Sequence, residues 1–129
     1  MIYEFCAENV TLLEKAMQAG ARRIELCDNL AVGGTTPSYG VTKAAVELAA
    51  NYDTTIMTMI RPRGGDFVYT DLEIAIMLED IRLTAQAGSQ GVVFGALTAD
   101  KKLDKPNLEK LIAASKGMEI VFHMAFDEL

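Results

Sequence analysis

Four times along this 129-residue chain, a short run rich in β-branched or aromatic residues gives way to a polar loop and then to apolar residues at helical spacing. That alternation constrains the fold more than any other feature, because strand–helix–strand repeats build parallel sheets through crossover connections. The spacing predicts strands over Met1 to Ala7, Arg23 to Cys27, Thr55 to Ile60, Gly91 to Gly95 and Glu119 to His123. Between them it predicts helices from Val10 to Ala19 behind an Asn9 cap, from Val41 to Asn51, and from Asp71 to Ala87 behind a Thr70 cap. A fourth helix carries Pro106 in its first turn and ends at Gly117. Two α/β architectures fit: a five-stranded doubly wound open sheet, or a (β/α)8 TIM-type barrel of which residues 1–129 form one incomplete domain. Polar residues at every strand end favour the barrel, since an open sheet gathers them near one switch point. The expectation is therefore a barrel represented by its first five parallel strands and four helices. Such a piece would leave two open sheet edges, so the expectation is a homo-oligomer, a longer chain that closes the barrel, or a rearranged sheet.

Composition removes several functional classes. A net charge of −6 with no basic stripe argues against a nucleic-acid partner. No apolar run approaches the roughly 18 residues of a membrane span. The first residues, MIYEFCAENV, lack the basic and apolar regions of a signal peptide, so a reducing cytoplasm is the expected location.

The chemistry concentrates at strand ends. Tyr3 to Cys6 reads Y-E-F-C and Ile24 to Cys27 reads I-E-L-C, so the first two strands each carry Glu-x-Cys. Residues of one parity share a face, which would set Cys6 and Cys27 side by side with Glu4 and Glu25 nearby. Two thiolates suit a soft ion such as Cu(I), whereas the plainer alternative is two small thiols packed in a core. Arg61-Pro62-Arg63-Gly64-Gly65 offers two guanidiniums and exposed backbone amides for a small phosphate or carboxylate ligand, unless the arginines serve only Glu4, Glu25 or Asp66. Glu25 and the single histidine, His123, with Asp127 four residues on, are candidates for acid–base catalysis. Met57 and Met59 alternate along the third strand and read as core packing.

The segments RIELCDNLAVGGTTPSYG, IRPRGGDFVYTDLE, GVVFGAL and FHMAFD together resemble the CutC family of cytoplasmic copper homeostasis proteins, from about residue 3 to residue 129. The resemblance implies a TIM-type barrel of a little over 200 residues, of which this chain matches the N-terminal part. It implies a link to copper, which strengthens the reading of Cys6 and Cys27 as ligands of Cu(I). Many relatives read FHRAFD where this chain has Met124. The alternative function is a barrel enzyme in which Arg61 and Arg63 grip a small anion while Glu25 or His123 moves a proton. A third reading, a barrel relic acting as a scaffold, needs no site chemistry.

Overall fold

A computed structural model describes residues 4–122; the calls on Met1 to Tyr3, His123 and Asp127 fall outside them. Five strands, β1 (Glu4–Glu8), β2 (Arg23–Cys27), β3 (Thr55–Met59), β4 (Gly91–Phe94) and β5 (Glu119–Phe122), alternate with four helices. The helices are α1 (Leu13–Gln18), α2 (Tyr39–Ala49), α3 (Asp71–Ala87) and α4 (Lys105–Ala114). All neighbouring strands run parallel, in the spatial order β1-β2-β3-β4-β5. That order never reverses, so the sheet has no switch point and the doubly wound alternative is excluded.

Alternation along the strands divides the sheet into two faces. Ala7, Ile24, Leu26 and Ile56 pack against Leu13, Ala16 and Met17 of α1 and Ala45 and Ala49 of α2. On the same face Val92 and Phe94 pack against Ile74, Met77 and Ile81 of α3 and Leu108 and Leu111 of α4. Fully burying each of these Leu, Ile, Val or Phe side chains is worth about 1.5–3 kcal/mol, so this helix-covered face supplies most of the stability. The opposite face carries Cys27, Met57, Met59 and Val93 in a small cluster of its own.

The sheet is concave toward that second face. Arg23 of β2 donates to Glu119 of β5 at 3.0 Å, although three strand spacings on a flat sheet would put those strands about 14 Å apart. Curling is helped by Gly91, which sits between Met57 and Glu119 in one inward-facing row. A Cβ there would lie 2.6 Å from the Glu119 carbonyl oxygen, closer than any side chain tolerates.

Local chemistry sets the helix ends. Thr70 and Glu73 form a reciprocal capping box at the start of α3, which begins and ends where the sequence indicates. Helix α2 starts two residues before the expected Val41, because Ser38 accepts a hydrogen bond from the Val41 amide at 3.1 Å. Helix α1 starts later than expected. Asn9 and Leu12 both adopt left-handed backbone, with φ of 58° and 59°, so Asn9 caps a turn and not the helix itself.

Candidate functional site

The carboxyl ends of the strands enclose a cavity of about 240 Å³ on the concave face. Every strand contributes: Cys6 from β1, Glu25 and Cys27 from β2, Met59 from β3, Val93 from β4, and Val121 and Phe122 from β5. Leu30 and Gly33, from the loop after β2, complete the wall. The loop contains a 3-10 turn, Leu30–Val32, that the sequence pattern does not signal. It folds back so that Asp28 and Thr35 exchange two backbone hydrogen bonds, of 2.9 and 2.8 Å.

Cys6 and Cys27 share this cavity, but they are not side by side. In the β1–β2 register Cys6 faces Glu25, and Cys27 faces Glu8. The expected pairing is therefore corrected to a diagonal one, because β1 and β2 pair two residues out of step with the Glu-x-Cys repeat. Strand spacing and a two-residue offset put the two Cα atoms roughly 8 Å apart. That exceeds the reach of a disulfide, for which Cα atoms lie within about 7 Å. A metal ion reaches further. With metal–sulfur bonds of about 2.3 Å it links sulfurs as much as about 4.6 Å apart, against about 2.05 Å for a covalent S–S bond.

The two thiols differ in environment. Cys6 is exposed, whereas Cys27 is only 2% exposed and donates its S–H to the Ala7 carbonyl at 3.5 Å. Burial, reinforced by negative charge on Cys6, Glu8, Asp28 and Glu25, pushes the Cys27 thiol up to about 11. It rests as a neutral thiol at physiological pH. Met59 is the cross-strand neighbour one strand further on, since Glu25 pairs with Met57 and Leu26 with Thr58. Its Cε and the Cys27 Sγ both border Gly34, so a thioether joins the thiols in the cavity wall. Met57 and Met59 are both buried and pack with Cys27 and Val93, as expected of core residues, and Met59 also lines the cavity. Glu25 is half-buried in the same wall. Among the described residues no group of three or more His, Cys, Asp or Glu side chains gathers around a point.

The two arginines are placed elsewhere. Arg61 is buried, and its Nη1 donates to the carbonyls of Val32 (2.6 Å) and Gly34 (3.0 Å) while Nη2 donates to that of Gly65 (2.8 Å). Its guanidinium lies 4.8 Å over the Phe67 ring. Arg63 pairs with Glu73 at 2.6 Å and with Asp66 at 3.1 Å, and it sits 5.3 Å over the Tyr69 ring. The Arg63 guanidinium, followed by the Thr70 amide, holds the Glu73 carboxyl below its ordinary range. Of the expected carboxylate partners, Asp66 does pair with Arg63, and Glu73, which the sequence reading did not include, joins it; Arg61 is held by carbonyls instead. Gly64 packs on Val32, where a Cβ would come within 2.8 Å of the valine Cβ, and Gly65 supplies a carbonyl to Arg61. The sequence carried a signal for this interlock in its two Gly-Gly pairs, Gly33-Gly34 and Gly64-Gly65, one in each loop.

The model of the CutC family matches residues 1–129. The chain belongs to the CutC family. A CutC family protein of Streptococcus pyogenes is 55% identical over 129 residues, which is 100% of this chain and 62% of that relative. One from Enterococcus faecalis is 53% identical with the same shares. The crystal structure of the putative copper homeostasis protein CutC from Streptococcus agalactiae matches with a TM-score of 0.96 at 50% identity. The match covers 100% of this chain and 61% of that one, so this CutC chain spans about three-fifths of the length of these relatives. The Streptococcus agalactiae protein is a TIM barrel, and the five parallel strands and four helices here follow part of it. No helix among the described residues is long and apolar enough to cross a membrane.

Proposed function

We propose that this CutC chain serves copper homeostasis by binding Cu(I) through Cys6 and Cys27, with the Met59 thioether as a neighbouring soft donor. The observation that carries the reading is the convergence of both thiols and that thioether on one cavity whose other walls are largely apolar. Soft sulfur donors select Cu(I) over the harder ions of the cell, and an apolar wall denies water a place in the coordination sphere. The diagonal placement of the thiols supports the same reading, because it leaves room for an ion and not for a disulfide. A reducing compartment such as the cytoplasm would keep both groups as thiols. Binding must expel the Cys27 proton, so affinity rises with pH wherever the thiol remains protonated.

The enzymatic reading draws less support. Its anion grip would require Arg61 or Arg63 to abandon the carbonyls and carboxylates that now engage them.

The test is an anaerobic Cu(I) titration against a chromophoric Cu(I) chelator, run on the parent protein and on Cys6→Ser and Cys27→Ser. Serine at position 27 keeps a hydroxyl for the Ala7 carbonyl, so the fold should persist. The proposal expects one equivalent of Cu(I) bound by the parent and lost in Cys27→Ser. Equal affinity in all three proteins would reject it.

A further inference from the structure

Arg61 is an unusual residue to bury, since among the described residues its guanidinium meets carbonyls and no carboxylate, and its Nε has no hydrogen-bond partner. Taking a guanidinium out of water is costly, and three carbonyl contacts with one aromatic face offset that only in part. The compensation is structural reach. The planar fork holds Val32 and Gly34 of the loop after β2 with one nitrogen and Gly65 of the loop after β3 with the other. A lysine has one nitrogen and no such fork. The Arg61 main chain grips the first loop as well: its amide donates to Thr36 Oγ1 at 2.8 Å, and its carbonyl accepts from the Thr36 amide at 3.0 Å.

What that loop covers is Cys27. Gly34, at φ +95°, sits so close that a Cβ on it would lie 3.3 Å from the Cys27 Sγ, and the Gly34 carbonyl is one of those Arg61 holds. We infer that Arg61 is a positioning residue for the Cys27 thiol, clamping the Val32–Thr36 loop over it and thereby setting how readily a metal ion or soft electrophile reaches the sulfur. This gives the Arg-Pro-Arg-Gly-Gly segment a role at the cavity without any anionic ligand. Gly64 is part of the same clamp, because only a residue without a side chain lets the second loop lie against Val32.

The inference rests on Cys27 being the site's inner sulfur, but its test needs no copper, so it can fail while the copper proposal stands, and the reverse. In a Cys6→Ser background, the rate of Cys27 alkylation by iodoacetamide is followed by mass spectrometry in increasing, sub-denaturing urea. The Arg61→Lys and Thr36→Val proteins are compared with their parent, and global unfolding is followed by circular dichroism. Loop release is a local opening that exposes little surface, so the rate should rise about tenfold or more and stay nearly flat with urea. A rate equal to the parent's would overturn the inference. So would a faster rate that climbs with the urea slope of global unfolding, since Arg61 would then be a stability residue only. If Arg61→Lys does not fold, Thr36→Val decides alone, because it loosens the same loop and leaves the guanidinium in place.

Discussion

Burial of Cys27 has a thermodynamic signature at alkaline pH. The unfolded chain loses the thiol proton near 9, whereas the folded chain holds it to about 11. The folded-state pKa is the higher one, so the stabilisation is fully present below about pH 9 and is lost as pH rises through about 11. Two pKa steps at about 1.36 kcal/mol each make about 2.7 kcal/mol in total, and about 2 kcal/mol of it is gone by about pH 10.5. The perturbation is Cys27→Ala, which removes the titrating group and leaves Cys6 in both proteins. The assay is urea unfolding of both proteins under anaerobic reducing conditions, at about pH 7 and about pH 10.5, compared at equal m-values. Tyr69, pushed up to about 12 chiefly by its burial, titrates alike in both proteins and cancels in the difference. The advantage of the parent over Cys27→Ala should shrink by about 2 kcal/mol between the two pH values. A gap constant to within about 0.5 kcal/mol would mean that the folded protein does not hold the Cys27 proton, and the argument from burial would fail.

Gly91→Ala should destabilise by about 1–3 kcal/mol or more, measured as a shift in urea midpoint, because the new methyl meets Met57 and the Glu119 carbonyl, and the carbonyl belongs to a paired strand. Thr70→Ala breaks both halves of the capping box at α3 and should cost about 1 kcal/mol by the same measurement, whereas Thr70→Ser should cost far less. Mild oxidation of the metal-free protein should produce no Cys6–Cys27 disulfide. A loss of 2 Da from the monomer mass, with both thiols blocked to alkylation, would show that the strand register does not hold the two sulfurs apart.

How much of this was legible in the sequence depended on the range of the interaction concerned. Strand β2 and helix α3 were readable to the residue, because their limits are set locally: by Gly20 and the polar loop for one, and by Thr70, Glu73 and Gly88 for the other. The start of α1 was not, since two non-glycine residues take left-handed backbone there and no side-chain pattern announces that. The face shared by Cys6 and Cys27 followed from parity alone, but their offset did not. Register is a relation between strands, fixed by how the helix-covered residues Ala7, Leu26 and Ile56 pack, and a repeated tripeptide does not encode it. For the arginines, sequence gave the charge and the glycines around it. That Arg61 Nη1 donates to two carbonyls of a loop some thirty residues earlier is a tertiary fact. The family resemblance was readable from motifs at four strand ends, and it holds over the whole chain.

The most direct test of the account is X-ray absorption at the copper edge of the protein loaded with one equivalent of Cu(I). The account predicts a first shell made of sulfur alone, reduced in number in Cys6→Ser and absent in Cys27→Ser. A first shell of oxygen or nitrogen, or a sulfur shell untouched by both substitutions, would contradict it.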